Sequence, residues 1–555
     1  MTTLLLNGRV HSPSHPDATA MAVRDGVVAW LGSDEVGRSQ FGGADIVDLG
    51  GAFVAPAFVD SHVHLTATGL LITGLDLSAA TSKQHCLALV AEHAAAHPGQ
   101  PVWAHGWDDT GWPRDEAPTT AELDAIVGAV PAYLARVDVH SAAASTALRE
   151  LVPGLPAVAG YDPQRPLTAE AHHLIRAEAR RLLTWQQRAD ARRAALDAAA
   201  AAGIVAVHEC AGPDIGGSED WQELRATQHG VEVVGYWGEA VSSAAQARDL
   251  IDQTGTRGLA GDLFVDGALG SHTAWLAEPY EDATHSTGNA YLDGEAIADH
   301  LFACTEAGVT AGFHVIGDAA VTAVVAALGR VVERFGTPAV ARCGHRLEHL
   351  EMVTAEQAAQ LGQWGVVASM QPNFDALWGG TDGMYARRLG IGRAAQLNPF
   401  ALLASAGVPM AFGSDSPVTS LDPWATVRAA SHHHTPGSAI SVRAAFSAAT
   451  RGAWRAGGVR DGVTGTLVPG APASYAVWEG RPGGQERSDA GKGRGGQERS
   501  DAGSHLDVGV AAPADSVQRW STDPRSRVPA LPRLEPGEPL PHCRQTVHRG
   551  VVIHG

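Results

Sequence analysis

The chain lacks long apolar runs and an excess of positive charge, and each absence excludes a class of function. No uncharged apolar run approaches the roughly 20 residues of a membrane-spanning helix, because Arg, Asp and Glu interrupt the alanine-rich stretches. The formal charge is −20, whereas proteins that bind nucleic acids or anionic membranes present basic patches. We therefore expect no nucleic acid and no membrane among the partners of this protein.

Cysteine is also scarce, and its distribution argues against a disulfide framework. The five cysteines form no CxxC pair and lie far apart, at Cys86, Cys210, Cys304, Cys343 and Cys543. Such an odd and scattered set is typical of reduced thiols in a cytoplasmic protein. The first residues lack the basic start and the apolar stretch of a secretion signal. Both observations predict a cytoplasmic location.

The 555 residues are 45% hydrophobic and 18% charged, which is the composition of a globular protein with a large core. Residues 1–53 contain short apolar runs separated by turn dipeptides such as Asn7-Gly8 and Asp25-Gly26. This pattern is typical of a small antiparallel sheet. Strand-like character returns at residues 547–553, which we interpret as the last strand of the same β domain.

Between about residue 54 and residue 450, apolar runs alternate with helical stretches. Eight runs have the look of buried strands, at 54–61, 204–207, 231–236, 263–265, 310–315, 346–350, 366–370 and 409–412. Helical patterns separate them, for example at 241–253, 295–307, 318–334 and 355–363. This count predicts an α/β fold with a closed (β/α)8 TIM-like barrel, whose active site lies at the C-terminal ends of the strands.

A stretch from residue 70 to residue 200 separates the first two predicted barrel strands and is too long for a loop. It contains strands of its own and a helical run at 176–201, so we predict a subdomain inserted at the active-site face of the barrel. Its aromatic segment includes Trp107 and Trp112. Trp107 is a candidate for substrate binding, with the core of the insert as the alternative.

Histidines and an aspartate stand at the predicted strand ends. His62 and His64 are two apart on the first strand, so both imidazoles point to the same side and reach one point in space. Later strand ends add His314, His349 and Asp415. Each residue alone has a structural explanation, but together they predict a metal site. Imidazole and carboxylate ligands suit Zn²⁺, with Mn, Fe and Co as rivals.

The segments that carry these residues resemble a known family. In chain order they read PAFVDSHVHL, GIVAVHE, LFVDGALGSHTA, HVIGDAA, RLEHLE, SMQPN and FGSDSPV. On these motifs, residues 1–478 are similar to the metal-dependent amidohydrolase superfamily, in the branch that includes the N-substituted formamide deformylases. The resemblance implies a barrel (54–450, with insert 70–200) and a small β-sandwich built from both chain ends (1–53 and 451–555).

The resemblance also implies a reaction, the hydrolysis of a non-peptide C–N bond in an amide, N-formyl or cyclic amide compound. The implied metal ligands are His62, His64, His314, His349 and Asp415. A divalent metal, one or two per chain, would activate a water molecule, and Asp415 would act as general base and then as general acid. Arg136 and His140 match a segment that lies near the substrate in relatives, although both have structural explanations too.

One position departs from the family pattern. Relatives usually carry a carboxylated lysine on the fourth strand that bridges two metals, and Asp262 stands at that position. The only lysines of the chain are Lys83 and Lys492. The site therefore holds one metal, or another side chain forms the bridge. Glu209 is our first candidate for that bridge, ahead of Asp262 and Cys210.

Near the C-terminus, the sequence GGQERSDAG occurs at 483–491 and again at 495–503. A repeat of glycine, serine and charged residues cannot form a core, so we predict a disordered segment at 481–510.

The sequence thus favours a metal-dependent hydrolase of a small molecule, and two alternatives stay open. A deaminase of a heterocyclic ring would use the same metal-activated water and release ammonia. A catalytically silent relative would bind a small molecule without turnover; the lost lysine argues for it and the intact ligand set against it. The sequence does not decide whether the chain forms a homodimer.

Overall fold

The computed structural model describes residues 1–114, 116–479 and 531–555. Its mixed α/β fold consists of an eight-stranded parallel barrel and three further sheets, so the predicted fold class is confirmed. The predicted disordered repeat at 481–510 lies outside the described residues. Within the described ranges, no helix is long and apolar enough to cross a membrane.

The barrel strands follow one another in the sheet in chain order. They are Phe58–Val63, Ile204–Ala211, Glu232–Trp237, Gly258–Leu259, Thr310–Val315, Arg346–His349, Val367–Met370 and Met410–Phe412. A bridge between Val63 and Ser416 joins the two edges. The backbone N–H of Asp415 also donates to His62 O at 2.8 Å. The seam of the barrel therefore places the two histidines of the first strand beside Asp415.

Helices cover the outside of the barrel, which is why its strands are buried on both faces. The helix Asp318–Phe335 shows the pattern, because its buried residues recur every three or four positions and include Val321, Val324 and Leu328. The barrel helices are Leu65–Thr73, Trp185–Ala201, Gly217–Ala226, Ala244–Thr254, Gly294–Ala307, Asp318–Phe335, Thr337–Cys343, Ala355–Trp364, Pro372–Trp378, Met384–Leu389, Ile391–Ala394, Phe400–Ser405, Pro423–Ser431, Val442–Ser447 and Ala453–Ala456.

The fourth barrel strand is not where the sequence predicted it. The structure has it at Gly258–Leu259 instead of 263–265. Gly261 follows with a φ of +77°, a left-handed conformation that ends the strand. Residues 263–265 still bond to the fifth strand, since His314 N–H donates to Leu263 O at 3.0 Å. Asp262 consequently lies just beyond the end of the fourth strand, at the mouth of the barrel.

The apolar run at 54–61, predicted as one barrel strand, belongs to two sheets. Phe53–Pro56 pairs with Tyr475–Glu479 in the small β domain, whereas Phe58–Val63 begins the barrel. Every residue of both segments is buried, so the apolar pattern of the sequence does not show where one strand ends and the next begins. The barrel therefore starts at residue 58, directly after a strand of the β domain.

The small β domain consists of two sheets that both chain ends supply. The first contains Val27–Gly32, Ala20–Arg24, Thr2–Leu6 and Asp45–Asp48, and the second Arg9–Val10, Phe53–Pro56, Tyr475–Glu479, His542–His548 and Val551–His554. Leu5, Met21, Val54, Tyr475 and Val547 share one core between them. The first sheet is mixed rather than antiparallel, because Thr2–Leu6 pairs in parallel with Asp45–Asp48. The helix Asp34–Gln40 packs beside this sheet.

The insert contains a five-stranded sheet of Leu167–Thr168, Ser141–Ala144, Ala132–Arg136, Val102–Trp107 and Leu75–Asp76. Its helices are Lys83–Ala96, Thr120–Val127, Thr146–Arg149 and Ala169–Arg181. The helical run predicted at 176–201 is divided, because Thr184 caps a new helix, Trp185–Ala201. This second helix belongs to the barrel and packs against Leu65–Thr73.

The contact between these two barrel helices depends on Gly69. A Cβ atom at this position would lie 1.8 Å from the backbone oxygen of Ala191. We expect Gly69→Ala to destabilise the protein by about 1–3 kcal/mol, because backbone atoms cannot move aside as a flexible side chain can. Gly43→Ala is the control, since a Cβ there would meet nothing within 4 Å. Equal melting temperatures for the two variants would contradict this account of the helix contact.

Candidate metal centre

The two histidines of the first strand face two carboxylates. His62 Nε2 lies 3.3 Å from Asp262 Oδ1, and His64 Nε2 lies 3.1 Å from Asp262 Oδ2. Asp415 Oδ1 lies 3.5 Å from His62 Nε2 and 3.3 Å from His64 Nε2. All four side chains are buried. The structure therefore joins the ends of the first, fourth and eighth strands in one polar cluster.

His314 and His349 complete this cluster. Their rings are 4.3 Å apart, and the ring of His349 is 5.0 Å from that of His62. His349 Nδ1 is 2.8 Å from Gln371 Oε1, which leaves its Nε2 directed at the cluster. The structure thus brings together all five side chains that the sequence predicted as ligands, and their role as ligands stays a prediction.

Two of these residues have a strained backbone. His349 has a φ of +69° and Asp415 a φ of +54°, in the left-handed region that residues other than glycine rarely adopt. Such conformations cost about 1–3 kcal/mol and persist where the surrounding structure enforces them, most often at functional sites. The strained residues His349 and Asp415 lie at the mouth of the barrel, where this backbone conformation directs their side chains towards the same point.

The donor atoms of the cluster fit a divalent metal ion. His62 Nε2, His349 Nε2 and Asp262 Oδ1 are buried, yet none has a hydrogen-bond partner in the described ranges. Buried polar atoms without partners are rare, and a coordinated cation would satisfy them. Potential ligand atoms of His62, His64 and Asp262 lie within 4.8 Å of one another, as do those of His62, His349 and Asp415. Imidazole nitrogen and carboxylate oxygen are the donors that Zn²⁺ takes in proteins.

Electrostatic coupling within the cluster agrees with this fit. Burial disfavours a charge on Asp262, but His62 and His64 outweigh that effect and hold the pKa of the carboxyl well below its usual value. Burial likewise opposes protonation of His64, but Asp262 and Asp415 raise its pKa to about 9. A metal ion would replace the protons of these imidazoles, because only a neutral imidazole offers a lone pair to a metal.

Glu209, the first candidate for a bridging carboxylate, is not part of the cluster. Its Oε2 accepts a hydrogen bond from the backbone N–H of Leu65 at 2.8 Å. Successive side chains of a strand point to opposite faces, so the neighbouring Cys210 points inwards, close to His62 and Glu348. Asp262, the second candidate, reaches both first-strand histidines. The geometry thus favours Asp262 over Glu209 as the bridging carboxylate, and the bridging role stays a prediction.

A buried ion pair that the sequence analysis missed orients His62. Glu348 Oε2 is 2.9 Å from His62 Nδ1 and also 2.9 Å from Arg346 Nη2. Burial opposes the charge of Glu348, but Arg346 overrides this effect and holds the pKa of the carboxyl well below its usual value. The carboxylate therefore fixes the proton of His62 on Nδ1 and leaves Nε2 free for a metal. In the sequence, the sign of this pair is that Arg346 and Glu348 are two residues apart on a strand, so their side chains point to the same side.

Gln371 has the corresponding role for His349, and it offers a clean test. We expect Gln371→Leu to lower the affinity for Zn²⁺ roughly 10- to 100-fold, because the imidazole of His349 loses the acceptor that orients it. Folding should change little, since Gln371 Nε2 has no hydrogen-bond partner among the described residues. The affinity is measured by titration against a competing chelator, with the exposed Gln363→Leu as control. Equal affinities in the two variants would remove Gln371 from this role.

The cluster opens into a pocket of about 670 Å³, a volume that includes its solvent-exposed part. Its walls contain aromatic side chains, among them Trp103, Tyr133 and Phe264. His140, a predicted substrate-binding residue, lines the pocket with its ring 5.0 Å from that of His314. Burial, and then the neighbouring His314, hold the pKa of His140 well below its usual value, so its imidazole is neutral. It can therefore exchange hydrogen bonds with a ligand.

The other two predicted substrate-binding residues lie elsewhere. Arg136 is buried, and its guanidinium pairs with Asp108 at 2.8 Å and with Asp138 at 2.8 Å, which engages its donors within the protein. Trp107 is buried in the core of the insert, where its Nε1 donates to Leu134 O at 2.9 Å. The contacts of both residues are those expected from the structural explanation, and a role in substrate binding stays a prediction. Arg136 fixes Asp138, and only the latter lines the pocket.

Comparisons with known proteins agree with this geometry. A model of the amidohydrolase family matches residues 45–554. The chain is 27% identical over 520 residues to protein LONG AFTER FAR-RED 3 of Arabidopsis thaliana, covering 85% of this chain and 86% of that protein. It is 22% identical over 456 residues to the N-substituted formamide deformylase of Arthrobacter pascens, covering 76% and 81%. An uncharacterized metal-dependent hydrolase from Pyrococcus furiosus superimposes with a TM-score of 0.64 at 25% identity, covering 86% and 98%. The resemblance read from the motifs is thus confirmed, and the chain belongs to the amidohydrolase family.

Proposed function

We propose that the protein hydrolyses a non-peptide C–N bond of a small molecule with a metal-activated water. The observation that carries the proposal is the convergence of His62, His64, Asp262 and Asp415 at the floor of a pocket. A divalent metal, for which Zn²⁺ is our choice, would supply a nucleophilic water at neutral pH and polarise the bond to be cleaved. The relation to an N-substituted formamide deformylase supports a C–N bond as the target.

The two carboxylates of the cluster differ in how many of their oxygen atoms face the histidines of the first strand. Asp262 directs one oxygen at His62 and the other at His64. Asp415 uses the same oxygen, Oδ1, towards both histidines. Because Asp415 also lines the pocket, we take its second oxygen as the one that transfers the proton. We assign to Asp415 the removal of a proton from the attacking water and its delivery to the leaving nitrogen.

The test is a screen of the full chain against N-formyl, N-acyl and cyclic amides, with the amine and free ammonia followed separately. We expect release of an amine from at least one amide, loss of this activity with a chelator and recovery with Zn²⁺. Ammonia released from a heterocyclic ring would establish the deaminase alternative instead. Metal bound tightly without turnover of any compound would favour the silent relative. The cytoplasmic location stays a prediction, and a homodimer stays a possibility that the sequence left open.

A further inference from the structure

Two arginines of the insert share the pocket with the metal-ligand cluster. Arg176 and Arg180 lie one turn apart on the helix Ala169–Arg181, so their side chains occupy one face of it. Both line the pocket that also contains Asp262 and His314. Arg176 is only 7% exposed, and Arg180 is half-buried. A cationic wall thus stands beside the anionic and imidazole groups of the cluster.

Neither guanidinium has an acidic partner within the described residues. Arg176 Nη2 donates to Asp214 O at 2.7 Å and lies 3.3 Å from His173 Nδ1, but its Nε has no hydrogen-bond partner. The Nε of Arg180 is likewise buried without a partner. These donors are therefore unused by the described residues, although both side chains line the pocket.

Most other buried arginines of the described residues pair with carboxylates, although Arg149 donates instead to the backbone oxygens of Ala144, Asp162 and Arg165. Arg136, Arg192 and Arg346 each pair with at least one carboxylate. The carboxylates nearest to Arg180 are engaged elsewhere, since Asp220 accepts from Arg192 at 2.9 Å and Glu209 accepts from Leu65 N–H at 2.8 Å. Arg176 and Arg180 thus differ from Arg136, Arg192 and Arg346 in having no carboxylate partner, which points to an anion from outside the chain.

The charge of this wall persists at neutral pH. Burial, and then the charge of Arg176, lower the pKa of Arg180 to about 10, which still leaves the guanidinium protonated. Burial and Arg176 also lower the pKa of His173 to about 3, so this imidazole adds no charge. Two adjacent, partly desolvated cations without a counter-charge destabilise a folded protein, and an anionic group between them would offset that effect.

We propose that Arg176 and Arg180 bind an anionic group of the substrate, either a carboxylate or a phosphate. Guanidinium groups suit this task because their planar donors match two oxygens of such an anion. The inference rests on the proposed function in one respect, namely that the same molecule is the amide cleaved at the cluster. The substrate class would then be a small amide with an anionic group at one end.

The walls of the pocket connect the two ends of such a molecule. Phe264 lies between them, with its ring 5.0 Å from that of the cluster residue His314 and 5.4 Å from that of His173, which contacts Arg176. Trp103 and Tyr133, with ring centroids 4.7 Å apart, supply an apolar surface for the body of the ligand. The anion and the scissile bond would therefore bind on opposite sides of an aromatic region.

The test measures binding of three probes to the full chain, before and after metal removal with a chelator. The probes are benzoate, its neutral analogue benzamide, and phenyl phosphate. Arg180→Gln is the main variant, because Arg180 makes no hydrogen bond within the described residues that a substitution would break. Arg181→Gln is the matched control, since Arg181 lies on the same helix with 77% of its side chain exposed.

We expect the metal-free protein to bind benzoate or phenyl phosphate, and Arg180→Gln to weaken that binding at least roughly tenfold. Arg180→Lys should recover part of the loss, Arg181→Gln should resemble the wild type, and benzamide should bind at least roughly tenfold more weakly than the anions. The tighter of the two anionic probes identifies the carboxylate or the phosphate as the natural group.

Three results would overturn the inference: no binding of either anion, binding that Arg180→Gln leaves unchanged, or anion binding that disappears with the metal. The last result would place the carboxylate on the metal instead of the arginines.

Failure of the proposed function has a different signature. Turnover of neutral amides without anion binding contradicts the arginine subsite alone, whereas anion binding without hydrolysis of any amide contradicts the reaction alone.

Discussion

We expect Asp415→Asn to lower kcat by roughly a thousandfold while the fold and most of the bound metal remain. Asparagine keeps the shape of the side chain and one oxygen that can face His62 and His64, but it cannot accept and return a proton at neutral pH. The measurement combines kcat on the best amide of the screen with the metal content of the purified variant. The same variant should keep the melting temperature of the wild type.

A matched control for this experiment is Asp382→Asn, because Asp382 is exposed on a loop of the same chain. It should have wild-type kcat and metal content. If Asp415→Asn retained turnover within about threefold of the wild type, Asp415 would lose its assigned role in proton transfer. Loss of metal and turnover together would indicate that Asp415 acts mainly as a ligand.

The second large effect is expected at Asp262. We expect Asp262→Asn to bind less metal than the wild type, because each oxygen of Asp262 faces one of the two first-strand histidines and would help to hold the metal. The variant should also lower kcat by at least roughly a hundredfold, since it removes a negative charge beside the predicted metal ligands. Elemental analysis and the amide assay measure the two effects.

Glu209→Gln is the control for Asp262, because Glu209 is buried in the same barrel but bonded to the backbone of Leu65. It should leave the metal content unchanged. Metal reconstitution should also be indifferent to bicarbonate, since Lys83 pairs with Glu116 and Glu122 in the insert, far in sequence from the barrel strands. A metal content that follows Glu209→Gln instead of Asp262→Asn would reinstate Glu209 as the bridge.

Much of the barrel and of its histidines could be predicted from the sequence because both have local patterns. His62 and His64 are two apart at the end of an apolar run, and this spacing alone places two imidazoles on one side. His314, His349 and Asp415 follow runs that the structure also has as strands. Alternating apolar runs and helices were sufficient to predict eight strands, although the fourth, Gly258–Leu259, was misplaced and the first begins only at Phe58.

The choice between Glu209 and Asp262 could not be made from the sequence. It depends on which face of the second strand points inwards, and that register is set by pairing with Phe58–Val63 across more than a hundred residues. The same limit applies to Arg136, because two of its three carboxylate partners, Asp108 and Asp109, come from a loop that is distant in sequence. Contacts between distant segments leave no local signal.

The close approach of Leu65–Thr73 to Trp185–Ala201 at Gly69 has an evolutionary consequence. The chain leaves the barrel after the first helix and returns in the second, and these two helices lie against each other, so the intervening residues form a module that leaves and re-enters the barrel at neighbouring points. The histidines predicted as metal ligands belong to the barrel, whereas Arg176 and Arg180 belong to the module. Substrate preference can therefore diverge by changes within one exchangeable segment while the chemistry of bond cleavage is inherited intact.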